Sequence, residues 1–124
     1  MSVRQMLAFD GLIDSLDEGY GNHALHHGVC VGADVQAAEA VSKRGWYTIG
    51  HPGPQSQWRA EWEDDSTFAQ EGYLARNRKI VAVTDLLIAA PLSTIPWEHK
   101  RTGGTWYTVD HAYEMNHPVV ILPR

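Results

Sequence analysis

Along the chain, hydrophobic and polar residues switch between two spacings, and each switch marks a change of element. Leu7, Leu12, Ile13 and Leu16 recur at roughly helical spacing, and residues 19–22 stop that pattern. "HALHHGV" (23–29) reads as a short strand. "GADVQAAEAVSKRG" (32–45) reads as a helix, with Asp34 as candidate N-cap, Ala37, Ala38 and Val41 as a small packing face, and Gly45 as its stop. "WYTIGHP" (46–52) is a second strand, closed by Pro52 and Pro54, and residues 53–66, polar apart from Trp58 and Trp62, read as a surface loop. "STFAQEGYLARNRKIVAVT" predicts a third helix, from near Ser66 to about Val83. The continuous apolar run in "DLLIAAP" suits a strand covered on both faces, as in a parallel sheet. Residues 92–102 read as a loop, "TWYTVDHAYEMNH" as a fourth helix and "PVVILP" as a final buried strand. This alternation predicts an α/β domain of parallel strands with right-handed crossovers.

At 124 residues the chain has the length of a single domain, 1–124. No apolar run approaches the length of a membrane span, and the acidic N-terminal stretch lacks the basic start and apolar core of a signal peptide. Cys30 is the only cysteine, which excludes an intramolecular disulfide framework and makes a cytoplasmic location the default expectation. The net charge of −5 argues against a nucleic-acid partner. That charge is uneven: "EWEDD" (61–65) is acidic, whereas "RNRK" (76–79) and "HKR" (99–101) are basic. Basic spots on an acidic protein suit a small anionic ligand better than a polyanion.

Three segments carry candidate chemistry, because open α/β sheets bind ligands beyond the carboxyl ends of their strands. In "GVCVGAD", Gly28 and Gly32 let the backbone approach a ligand, and the helix start at Asp34 favours an anion. Turn glycines and a capping aspartate would read the same way. In "TGGTWYT", Gly103 and Gly104 precede a helix whose first turn carries Thr105, so the hydroxyl can cap the helix or meet a phosphate oxygen, with Thr108 one turn on. In "YLARNRKIV", Arg76 offers a planar fork for phosphate or carboxylate and Asn77 can reach a base edge or ribose hydroxyl. A solvated basic face, with Arg78 and Lys79 snorkelling, is the plainer alternative.

The HxxxH spacing among the seven histidines, His23 to His27, falls on the predicted strand and does not support zinc, and there is no CxxC, so no metal site is expected. His26 and His27 fall next to each other on a strand and so face opposite sides; His27 could line a pocket or be a buried structural residue. Cys30 has no visible activating partner and reads as a packing residue. Trp106, just after the Gly-Gly-Thr turn, could stack on a base or pack against the sheet.

Taken in order, "HHGVCVGADVQAAEAV", "HPG", "YLARNRKIVAVTDLLIAAP", "GGTWYTVDHA" and "HPVVILP" resemble the SLOG superfamily of Rossmann-like domains, which includes lonely-guy-type proteins and the DNA-processing protein A group. The resemblance runs from about residue 24 to the end and is nearest in style to small stand-alone bacterial and phage members. It implies a three-layer domain with a mostly parallel sheet. It also implies a nucleotide-derived ligand, with phosphate at the Gly-Thr helix start near Arg76. No cofactor is expected. A homo-oligomer is compatible with it. The chain departs from the family twice. Lonely-guy enzymes carry a glutamate two or three residues after Gly-Thr, where this chain has Tyr107 and Thr108. Members also begin with a strand ahead of the first helix, and that strand is apparently lacking here. The expected role is therefore a sensor or accessory domain that binds its ligand through Gly28, Gly32, Asp34, Arg76, Asn77, Gly103, Gly104 and Thr105. The alternatives are a glycosidic-bond hydrolase or transferase that draws a carboxylate from Asp34 or Asp110, and an interaction domain with a degenerate pocket.

Overall fold

The computed structural model describes residues 1–19, 21–92 and 104–124. Its elements run α1 (Val3–Asp17), β1 (Ala24–His27), α2 (Ala33–Ser42), β2 (Tyr47–Gly50), β3 (Ser66–Thr67), α3 (Tyr73–Ala82), β4 (Leu87–Ala89), α4 (Gly104–Glu114) and β5 (Val119–Ile121). The ladders are parallel, β1 with β2, β2 with β3 and β4 with β5. The chain is an α/β protein. Its described strands form two pieces, β1-β2-β3 and β4-β5.

Local chemistry explains most element boundaries. Ser2 opens α1 with a capping box: its hydroxyl accepts the Gln5 N–H at 3.1 Å, and Gln5 Oε1 accepts the Ser2 N–H at 3.0 Å. Gln5 is buried, and its Nε2 donates to the Pro91 carbonyl at 2.8 Å, tying the start of α1 to the chain just past β4. The buried stripe of α1 is Gln5, Phe9 and Ile13, in steps of four. Leu7, expected on the apolar face, is exposed, because it lies two residues from both Gln5 and Phe9 and so turns to the far side.

Asp34 is not the cap of α2. That position is Gly32, whose φ of 95° is readily adopted only by glycine and which makes no side-chain cap. Asp34 sits inside the first turn and reaches back, its Oδ2 accepting the Cys30 N–H at 3.1 Å. Helix α3 begins at Tyr73 rather than near Ser66. Ser66 and Thr67 pair with Ile49 and Gly50, and the Phe68 N–H continues the ladder to the Gly50 carbonyl at 2.9 Å. Backbone pairing with β2 takes this segment away from the helix that its spacing suggested.

Two apolar clusters lie on opposite faces of the strands. Phe9, Ile13, Ala40, Val41 and Leu122 pack with Leu25, Ile88 and Val120 under α1 and α2. Ala89, Trp106 and Val109 pack with Leu87, Val119 and Ile121 under α4. Successive residues of β4 and β5 serve the two clusters in turn, as strand geometry requires, which makes the domain three-layered. Trp106 is thus a core residue, 3% exposed, and not a stacking platform.

Candidate functional site

A cavity of about 360 Å³ opens between β1 and β4 and extends to the carboxyl ends of both strands. Helix starts surround its upper part: Ala33 and Asp34 of α2, and Gly104, Thr105 and Thr108 of α4. Arg76 and Asn77 of α3 complete that end. The lower part is apolar, lined by Phe9, Leu25, Ala37, Ile80, Ile88 and Leu122.

Arg76 is the central polar group. It is 6% exposed, although its neighbours Arg78 and Lys79 are on the surface, where Arg78 donates to the Tyr107 hydroxyl at 2.7 Å. The Arg76 Nη1 donates to the carbonyls of Gly28 at 2.7 Å and His51 at 3.1 Å, and its Nε to Asn77 Oδ1 at 2.6 Å. Among the described residues no carboxylate lies within 4.0 Å of this guanidinium. A buried charge without a counter-charge is costly unless hydrogen bonds or a ligand compensate it. Gly28 is required by this arrangement: a Cβ there would stand 2.6 Å from Arg76 Nη1 and 3.0 Å from Asp34 Oδ2. The guanidinium and the Asp34 carboxylate therefore both crowd the space where a side chain at position 28 would begin.

The expected residues thus fall into three groups. Gly28, Asp34, Arg76, Asn77, Gly104 and Thr105 share one cavity. Gly32 does not line it and serves the turn into α2. Gly103 lies outside the described residues. Asp110 is absent from the lining, which leaves Asp34 as the carboxylate among the described lining residues. Thr108 lines the cavity, but its hydroxyl donates to the Gly104 carbonyl at 2.7 Å. The Cys30 thiol is half-buried; burial first, then the Asp34 carboxylate, push its pKa up, and nearby Arg76 only opposes this. It is no activated nucleophile.

The histidines carry more of the site than the sequence suggested. His26 and His27 both line the cavity. His27 Nε2 meets Asp64 Oδ1 at 2.6 Å with both side chains almost wholly buried. His27 Nδ1 accepts the Val29 N–H at 3.2 Å, which leaves Nε2 as the nitrogen that donates to Asp64. Val29 has φ 56°, a strained conformation for a β-branched residue, held by this bond and by the Ala60 N–H donating to its carbonyl at 2.9 Å. His26 Nδ1 lies 2.8 Å from His51 Nε2, and the His51 ring stacks on Phe68 with centroids 4.3 Å apart. Burial, then His26 and His27 and more weakly Lys79 and Arg76, hold the His51 pKa down at about 4. Burial and His27 lower that of His26.

The segment 53–66 is therefore more than a surface loop. Asp64 partners His27, Asp65 Oδ2 accepts the Thr48 N–H at 2.8 Å, and Arg59 forms an antiparallel bridge with Cys30. The acidic run that read as surface charge supplies these fasteners. Its partners are 17 and 37 positions away, so spacing alone had no means of pairing them. Among the described residues no group of three or more metal-ligating side chains converges, and no helix is long and apolar enough to cross a membrane. No family model, curated protein or solved structure matches the chain.

Proposed function

We propose that the cavity binds a small anionic, nucleotide-derived molecule and that the domain acts as a sensor or accessory module. One observation carries the reading: Arg76 is buried against the cavity and no carboxylate lies within 4.0 Å of it among the described residues. Its Nη1 and Nε are engaged by carbonyl oxygens, and Nη2, bonded to no oxygen of the described residues, is the donor we assign to a ligand oxygen. The first turn of α4, with Gly104 and Thr105, adds backbone N–H donors and the positive end of a helix on the same cavity. The SLOG resemblance supports a nucleotide as the anion's carrier. Asp34 would repel phosphate and belongs with ligand hydroxyl groups. A hydrolase or transferase is the second reading, favoured by the presence of the Asp34 carboxylate in the same cavity.

Calorimetry with AMP, ADP-ribose and inorganic phosphate tests the proposal. Arg76→Ala should weaken AMP binding by about 1.5–3 kcal/mol, the worth of a charge-assisted hydrogen bond. Because Arg76 also holds two backbone carbonyls, Thr105→Val at an exposed position is the companion variant. It should weaken binding by about 1 kcal/mol with an unchanged melting temperature. Failure of all three compounds to bind at millimolar concentration ends the reading. Release of free adenine from AMP, abolished in Asp34→Asn, would move the assignment to the enzyme.

A further inference from the structure

Groups that carry or can take a positive charge crowd the carboxyl ends of β1 and β2: His26 and His27, His51 just past β2, and Arg76 and Lys79 of α3. Two imidazoles in this group are tied to each other, His26 Nδ1 lying 2.8 Å from His51 Nε2. The His51 ring is buried and stacked on Phe68, and Lys79 Nζ stands 5.2 Å from the centre of the Phe68 ring. The backbone of the same residue leads to the candidate site, since the His51 carbonyl accepts from Arg76 Nη1 at 3.1 Å.

The neighbouring carboxylates are turned to other partners. Asp64 meets His27, Glu71 reaches Lys79 at 4.0 Å, and Asp34 accepts the Cys30 N–H. Among the described residues no carboxylate lies within 4.0 Å of the His26 or His51 ring. Burial and the surrounding positive groups thus keep both imidazoles neutral at pH 7.

An imidazole pair of this kind has room for one more proton. Neutral, the two rings share one N–H, with one nitrogen donating and the other accepting. A proton added at the outer nitrogen of His26 leaves that bond in place and strengthens it, because an imidazolium then donates to His51. A second proton would set N–H against N–H and break it. The pair therefore titrates as a unit, and His26, only half-buried, is the ring nearer to solvent. Arg76 is one of the charges that keep the proton away from His51. A unit charge about 6 Å away alters a proton affinity by about a hundredfold in a protein interior. An anion seated on Arg76 cancels that charge, and one with more than a single negative charge reverses it.

We propose that the His26–His51 pair takes up one proton from solvent when an anion occupies the Arg76 end of the cavity, so that the site binds more tightly as pH falls. Linkage makes these two statements one: a ligand that raises proton affinity is itself bound more tightly, by the same factor, once the proton is on. The proposal rests on the anion reading of the cavity. It adds that the domain responds to an anion and to acidity together.

Calorimetry on the full chain with ADP-ribose and with inorganic sulfate tests it. A phosphate monoester such as AMP itself titrates near about pH 6, whereas these two probes keep their charge between about pH 5.5 and 7.5. Repeating each titration in buffers of different ionisation enthalpy gives the protons taken up on binding. Uptake should rise from near zero at about pH 7.5 to at least about half a proton at about pH 5.5, where affinity should then gain at least about threefold per pH unit. The imidazole and carboxyl resonances, followed by NMR, locate the proton: saturating probe should move the titration of His26 and His51 to higher pH. Binding without proton uptake overturns the proposal and leaves the anion reading standing. Uptake placed on another group, His27 or the Asp34 carboxylate, overturns it as well. Binding of neither probe overturns it outright, and AMP then decides the anion reading separately.

Discussion

The two sheet pieces are held together by different physics. In β1-β2-β3, polar groups inside the fold do the fastening: His27 with Asp64, His26 with His51, and Asp65 on the Thr48 backbone. In β4-β5, the packing over the strands is apolar, with Trp106 and Val109 of α4 laid over Leu87, Ala89, Val119 and Ile121, and a polar tie, His117 Nε2 with the Thr84 carbonyl at 2.7 Å, lies ahead of the strands. A polar fastener demands one geometry and responds to protons. An apolar one tolerates small shifts and is indifferent to pH. The candidate site lies where the two halves meet and takes Gly28, Asp34 and His26 from the first, and Gly104 and Thr105 from the second.

Removing the central apolar anchor should cost most. Trp106→Ala is expected to destabilise the protein by about 3–5 kcal/mol in urea denaturation, the range for truncating a buried aromatic. The loss should be the same at pH 5 and pH 7. A loss that changed markedly with pH would show that the apolar half shares the polar half's dependence.

His27→Ala comes next. It leaves the Asp64 carboxylate buried without its donor and should cost about 2–3 kcal/mol by the same measurement. A variant as stable as the parent would mean that Asp64 finds another partner, and that His27 is not a fastener.

The smallest effect is the most specific to the polar half. His51 has a folded-state pKa of about 4, below the value of about 6.5 expected for an unfolded histidine. Between these values the unfolded chain binds more protons than the folded one, so stability falls as pH drops from about 6.5 toward 4. His26 is lowered in the same direction and adds to the slope. His51→Gln should flatten the decline of melting temperature across this window. An unchanged decline would assign the acid sensitivity to other groups.

The class of fold was legible from spacing. Short apolar runs alternating with helical stretches are what a chain must contain to bury parallel strands under helices. Several residues that line the cavity were legible for a related reason: a glycine-rich turn into a helix and an arginine on an otherwise aliphatic face are local signals, and Gly28, Arg76 and Gly104 came from them. Burial was not local. Arg76 and Arg78 look alike in "RNRK", yet one is enclosed and the other bonds a surface tyrosine. Ser66 and Thr67 read as the start of a helix until backbone pairing with β2 took them into a strand.

By itself the sequence determined the alternation of elements, the turns that only glycine permits and the inventory of charges, because these depend on neighbours a few positions apart. Tertiary structure alone decided that Asp64 meets His27, that Asp34 reaches Cys30 rather than capping its helix, and that a gap separates β1 from β4. Such pairings join positions brought close only when the chain folds, and burial then sets what each hydrogen bond is worth.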